Sequence, residues 1–216
     1  MKRKLINWLG LTGVISLLSY TAAVLFAPSA YPGYNWMAQA VSDLSAETAP
    51  SRMLWNQLAA LYGKCSIVCV TCVSIFFSEH KLFPKAFRVG IYLFTVMSWI
   101  SGVGYAMFPL ADSGNEITSF QEVMHMAVTA LVVVLSIVSL ILLIVSGMKQ
   151  RETRTIGIFA AIAFFMMMTG AIGINAFPAE YFGIAERFSV FAAVGFTAVL
   201  GIALFNNFHL TEGETE

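Results

Sequence analysis

Residues 131–147 read LVVVLSIVSLILLIVSG, and the reading of that stretch decides the fold. It carries no charge, and its apolar side chains follow one another without the two-residue alternation of a membrane-barrel strand. Lipid offers no water to satisfy free backbone groups, so such a run is a helix by default. A hydrocarbon core of about 30 Å needs about 20 apolar residues in that form. Extended back to Glu122, the stretch is long enough. Five further segments meet the same test, giving spans at Leu5–Ala27, Trp55–Phe77, Val89–Phe108, Glu122–Ser146, Thr155–Phe177 and Glu186–Phe208. The whole chain agrees: of 216 residues, 58% are hydrophobic and 11% charged, where a soluble domain carries about 25% charged. The expected fold is all-α, one six-helix transmembrane domain over residues 1–216.

The apolar stretch Leu5–Ala27 is longer than the roughly 7–15 residues of a secretory h-region, and Pro28 spoils the small-residue cleavage pattern before Ala30, so a retained first helix is expected. Lys2, Arg3 and Lys4 precede it; Lys81, Lys85 and Arg88 fill the second connection; Lys149, Arg151 and Arg154 fill the fourth. The odd-numbered connections hold only Arg52 and Arg187, beside Asp43, Glu47, Asp112, Glu116 and Glu180. By the positive-inside rule, both termini are expected to be cytoplasmic, and the expected location is the plasma (inner) membrane. Net charge is zero and there is no basic patch, so nucleic acid is not an expected partner.

An internal repeat suggests three helical hairpins. GYAMFP (Gly104–Pro109) closes the third span and GINAFP (Gly173–Pro178) the fifth, each followed closely by an acid, Asp112 or Glu180; LFAP closes the first more loosely. Proline lacks an N–H and restricts the residue before it, so it ends a helix. Independent helix stops at an aromatic-rich interface would look similar.

Ionisable groups inside the spans cost at least about 2.5–3.5 kcal/mol and need a partner or water. Lys64 lies nine residues after Trp55, about 13 Å into its span. Two readings stand: it snorkels to the outer interface, or it turns inward to Asp43, Glu122 or Glu186. In the fourth span Glu122, His125 and Thr129 fall on one helical stripe. His125 is a structural hydrogen-bonding residue or a general base tuned by the acid beside it. Glu122-x-x-His125 is only half of a di-iron carboxylate motif, and no second copy exists. The three histidines fall on opposite membrane sides, which excludes a tri-histidine zinc site. Cys65, Cys69 and Cys72 share one face of the second span. They read as small buried hydrophobes, the other reading being a soft copper site with Met166–Met168. No metal is therefore assigned and no cofactor class is implied. Asn175 precedes the second Phe-Pro. Glu186 and Arg187 open the sixth span; adjacent on a helix, they diverge and do not pair.

The first connection, NWMAQAVSDLSAE (Asn35–Glu47), is too polar to span and too apolar for a plain loop. Trp36, Ala40 and Asp43–Leu44 recur at helical spacing, which suggests a short interfacial helix near 35–45 over the outer end of the bundle. Asp43, with Ser42 beside it, would point toward Lys64 or His125, or Ser-Asp would simply cap the next turn.

NWMAQAVSDLSAETAPSRMLWNQLAALYGK (Asn35–Lys64), MFPLADSGNE and the downstream His125 together resemble the DUF998 family of six-span membrane proteins. The pattern is carried by Asn35, Ser42, Asp43, Leu44, Pro50, Gly63, Phe108, Pro109, Asp112 and His125; Ser45 stands where the family usually has glycine. The resemblance implies the six-span fold and no particular reaction. A broader likeness to Frag-type six-span proteins implies lipid handling, at the level of fold alone.

The functional expectation is an outward-facing polar pocket for a lipid headgroup or small amphiphile. Asp43, Lys64, Glu122 and His125 would line it, with Ser42, Asn175 and Glu186 as further ligand contacts and Asp112 and Arg187 at its mouth. In a catalytic version, His125 is the base, oriented by Glu122 or Asp43. Transport and a purely structural role are the alternatives. Membrane lipids are the expected partners, and homo-oligomerisation is left open.

Overall fold

A chain this apolar buries its main-chain polar groups by coiling, and the computed structural model, which describes residues 3–80, 83–111 and 119–209, is helical throughout its regular parts. Among the described residues eight α-helices run in order: α1 Leu5–Gly10, α2 Thr12–Phe26, α3 Arg52–Leu58, α4 Tyr62–Glu79, α5 Lys85–Met107, α6 Phe120–Gly147, α7 Arg151–Ala176 and α8 Phe182–Phe205. Six continuous or nearly continuous segments are long and apolar enough to cross a membrane: Leu5–Ala30, Arg52–Glu79, Lys85–Met107, Phe120–Gly147, Arg151–Gly173 and Ala179–Phe205.

The Phe-Pro signals stop helices as expected. α5 ends at Met107 before Phe108-Pro109, and α7 ends at Ala176 before Phe177-Pro178, with Phe177 in an extended conformation (φ −92°, ψ 150°). At Phe26 the chain runs on through Pro28 as a short 3-10 turn, Ala27–Ala30. Within 35–45 the helical part is a single 3-10 turn, Ser42–Ser45; the remainder is turns whose main chain is engaged elsewhere, as described below.

The spans form a ring. α5 packs on α6, α6 on α7 and α7 on α8, and the ring closes through α8 on α2, α2 on α4 and α4 on α5. α8 also touches α1 and α4, which makes it the most enclosed helix. Its buried face shows why: Gly183, Ala185, Ala192, Ala198 and Gly201 are small enough for neighbours to approach closely. The apolar core lies toward the end bearing Lys85 and Arg151, where Phe77, Phe87, Phe94, Ile91, Leu140, Leu143, Leu200, Leu204 and Phe208 are fully buried.

The second span is interrupted. Between α3 and α4 the Tyr62 amide turns back to the carbonyl of Ala59, 3.0 Å away, in place of that of Leu58. Such a break is tolerated at membrane depth only if the freed groups find other partners. A buried serine of α2 supplies one: Ser19 Oγ donates to the freed Leu58 O (2.6 Å), and buried Ser16 Oγ adds a bond to Tyr62 O at the start of α4 (2.8 Å). The Lys64 ammonium takes a third carbonyl, that of Ala60, at 2.9 Å.

Candidate functional site

Polar side chains gather in three places. The first is where the connection 31–51 folds over the start of α8. A guanidinium presents five donors in a fixed fork, and Arg187 uses it to collect carbonyl oxygens. One terminal nitrogen donates to Trp36 O (2.7 Å), Gln39 O (3.0 Å) and Gly183 O (2.8 Å), and the other to the Tyr34 hydroxyl (2.8 Å). Tyr34 in turn donates to Ala40 O at 2.7 Å. Glu186 works in the opposite sense, accepting the Val41 amide at 2.9 Å, while the Ile184 amide donates to Met37 O at 3.2 Å. Asp43 accepts the Ala40 amide at 3.2 Å. Ser42 opens the 3-10 turn, its carbonyl accepting from Ser45 Oγ at 2.9 Å.

Four residues singled out from the sequence, Ser42, Asp43, Glu186 and Arg187, are thus brought together. Glu186 and Arg187 diverge and each holds a different part of the first connection. Burial raises the Asp43 carboxyl above its ordinary range; the Ala40 N–H and the Arg187 charge oppose it. Burial likewise raises the Tyr34 phenol, against the pull of Arg187.

The second place is the start of α6. Ser119 and Glu122 form a reciprocal capping box: Ser119 Oγ accepts the Glu122 amide at 3.2 Å, and Glu122 accepts the Ser119 amide at 2.9 Å. The Ser-x-x-Glu spacing before an apolar run is the sequence signal for such a cap. His125, one turn on, bonds Phe108 O through Nδ1 at 2.8 Å. A carbonyl only accepts, so Nδ1 carries the proton. Thr129 donates to His125 O (2.9 Å) and accepts from the Tyr105 hydroxyl (3.1 Å). His125 and Thr129 thus meet the end of α5, while Glu122 bonds Ser119 at the start of its own helix.

Lys64 stands apart from both groups. It is exposed on α4, and among the described residues its ammonium bonds only the Ala60 carbonyl of its own span and no carboxylate. Asn175 lies in the last turn of α7, and Asp112 lies outside the described residues. Of the cysteines, Cys69 is buried with Sγ 3.5 Å from Gly10 O and 3.6 Å from Thr197 O, as a small packing residue would be. Among the described residues no cluster of three or more His, Cys, Asp or Glu could hold a metal ion.

The third place was not anticipated from the sequence. A cleft of about 30 Å³ opens between α4, α5 and α8, lined by Tyr62, Gly63, Ser66, Met97, Ser98, Ser101, Gly102, Ala193, Val194 and Thr197. That is room for two or three water-sized groups at about 10–15 Å³ each. Five lining residues bear hydroxyls. Two are committed to their own helices, Ser98 to Phe94 O (2.9 Å) and Thr197 to Ala193 O (3.0 Å). Tyr62 and Ser101 are within reach of each other. Ser66 has no protein partner among the described residues. Serines and threonines are inconspicuous in apolar spans, and only the packing of three separate helices makes them a lining.

Fold and polar sites together define a polytopic integral membrane protein of six helical spans, with one broken span and a hydroxyl-lined cleft beside the break. Within that class, the chain belongs to the DUF998 family, described as "Protein of unknown function (DUF998)", whose profile matches residues 14–203. No curated protein and no solved structure matches it.

Proposed function

We propose that the protein resides in the plasma (inner) membrane with both termini cytoplasmic and binds a single lipid-type amphiphile through the cleft between α4, α5 and α8. The basic residues flanking the first, third and fifth spans support that orientation. It puts the start of α4 and the end of α5, and with them the cleft, in the outer half of the bilayer. The observation that carries the reading is the lining: five hydroxyls from three helices around one open space. The space admits one small polar group and no complete headgroup, so the rest of the ligand lies along α4 and α5 in the bilayer. A lipid meets that condition; a freely soluble metabolite does not. The first connection, locked to α8 by Glu186 and Arg187, roofs the same end of the bundle.

A steric plug tests the reading. A Cβ placed on Gly63 meets nothing nearer than the Gly102 Cα at 4.0 Å, so the side chain of Gly63→Leu starts in open space beside the cleft. Lipid that co-purifies with the full-length protein, counted by native mass spectrometry, is expected to fall at least fivefold in Gly63→Leu, with the thermal midpoint unchanged. Equal lipid occupancy in variant and wild type overturns the proposal. A second reading, transport, is favoured by the interrupted second span, a feature of helices that line transport sites. Uptake of labelled amphiphile into proteoliposomes separates it from binding alone.

A further inference from the structure

We infer that the amphiphile is an uncharged lipid carrying one free hydroxyl, and that this hydroxyl is the group seated in the cleft; this rests on the cleft being a lipid site. Depth is the first reason. Ser98 and Ser101 stand nine and six residues before the end of α5 at Met107, about 14 Å and 9 Å into the span. Ser66 stands thirteen residues from the end of α4 at Glu79, about 20 Å, and Thr197 eight residues from the end of α8 at Phe205, about 12 Å. In a hydrocarbon core of about 30 Å, all four lie well inside the apolar zone.

Charge is the second reason. The lining contains no Lys, Arg, His, Asp or Glu. A charged group entering it would shed its water and meet no counter-ion, and an unpaired charge at that depth is heavily penalised. Hydrogen-bond supply is the third. A Ser or Thr hydroxyl has a single proton. Ser98 and Thr197 spend theirs on Phe94 O and Ala193 O, so toward a ligand they can only accept. Tyr62 and Ser101 use at most one of their two protons on each other, and Ser66 has no protein partner among the described residues, so donors remain as well. A phosphate, carboxylate or ester only accepts, and an ammonium only donates; each leaves part of the lining unanswered. An alcohol does both through one oxygen, and it fits a space for two or three water-sized groups. Met97, Ala193 and Val194 supply apolar lining for the first carbons of its chain.

The test uses full-length protein in detergent micelles, doped with equal amounts of a diacylglycerol, its O-methyl ether and the phosphatidic acid of the same chains. The three differ only at the oxygen assigned to the cleft: a hydroxyl, a neutral ether that cannot donate, and a charged phosphate ester. Native mass spectrometry reads what is retained. The wild type is expected to favour diacylglycerol at least about tenfold over phosphatidic acid, and about fivefold over the ether, as one neutral hydrogen bond allows. In Ser98→Ala/Thr197→Val the preference over the ether should fall below about twofold, which steric exclusion of the methyl group would not do; if the double variant fails to fold, Thr197→Val alone makes the same comparison. Phosphatidic acid retained as well as diacylglycerol, or the ether as well as the alcohol, overturns the inference. In that event both lipids should still be lost in Gly63→Leu, and the cleft stands as a lipid site of other chemistry. A wild type that retains none of the three, nor a long-chain alcohol, overturns the inference and the cleft together. Given the wild-type preference, a long-chain alcohol that displaces the diacylglycerol at equal concentration identifies a single-chain lipid as the source, and no displacement identifies a glyceride; the hydroxyl assignment is supported in both cases.

Discussion

Replacing Arg187 with methionine should release the first connection from α8 while leaving the bundle intact. Methionine keeps the unbranched apolar stem and removes the fork. Three of the hydrogen bonds Arg187 makes bridge the two elements: to Trp36 O at 2.7 Å, Gln39 O at 3.0 Å and the Tyr34 hydroxyl at 2.8 Å. The fourth, to Gly183 O, stays within α8 and holds nothing across. Each bridging bond is worth about 1 kcal/mol net, and more where the donor is charged. Arg187 is only half-buried, and water can reach the carbonyls it leaves, so about 2 kcal/mol in total is the reasonable figure. That corresponds to about a 30-fold shift in the local opening equilibrium.

Hydrogen exchange on the protein in micelles reads this directly. The Val41 amide, bound to Glu186, and the Ile184 amide, bound to Met37 O, are the reporters across the junction. Both should exchange about 30-fold faster in Arg187→Met, with amides in the middle of α6 unchanged. Arg187→Lys should fall between, because a point cation cannot serve three acceptors in different directions. If Val41 and Ile184 exchange within about threefold of the wild type, the guanidinium does not hold the connection and the account of this junction is wrong.

Two further outcomes follow from the same contacts. Burial raises the folded-state pKa of Asp43, so the stability this residue contributes is fully present in acid and is lost as pH rises through that raised value. Asp43→Asn keeps an acceptor for the Ala40 amide without the charge; it should match the wild type below about pH 4 and protect the 34–43 segment better at neutral pH, which exchange at the Ala40 amide will show, and greater protection in the wild type at pH 7 would contradict it. Ser16→Ala together with Ser19→Ala strips the donors from the Tyr62 and Leu58 carbonyls, at about 1–2 kcal/mol per site; the thermal midpoint should drop by several degrees, and an unchanged midpoint would mean that the broken span needs no help from α2.

The spans could be read from the sequence because lipid imposes one rule on every residue of a segment, and a run such as 131–147 satisfies it in full. The Phe-Pro stops were legible for a similar reason, since proline acts on its own neighbours. The divergence of Glu186 and Arg187 follows from helix geometry alone. The partners of the polar residues were hidden. Arg187 meets the carbonyls of Trp36 and Gln39, Glu186 the amide of Val41, Lys64 the carbonyl of Ala60 and His125 that of Phe108. Main-chain groups are the same at every position and leave no letter, so a search for complementary side chains looks past them. The break between α3 and α4 was equally invisible: Ala59, Ala60 and Leu61 all favour helix, and the hydroxyls that bond the carbonyls around it belong to Ser16 and Ser19, some forty residues earlier.

That break bears on whether the neighbouring cleft is a site or a packing defect. Where glycines of two helices face each other elsewhere in this bundle, the space is used up: a Cβ on Gly10 would strike the Gly201 carbonyl, and one on Gly201 would strike that of Gly10. Small residues in membrane bundles ordinarily serve such close approach. Gly63 and Gly102 also face each other, yet a Cβ on Gly63 would meet no atom within ordinary contact except the Gly102 Cα at 4.0 Å. Gly102 does serve packing, since a Cβ there would strike Ile67 Cδ1 of α4 at 2.8 Å, but nothing fills the space at Gly63. At Gly63 the gap is kept open, and hydroxyls surround it. A void without a ligand gains nothing from that arrangement, since an empty space forfeits dispersion contacts on every side. A ligand whose small polar group fills that gap, as proposed above, accounts for Gly63 and the hydroxyls together.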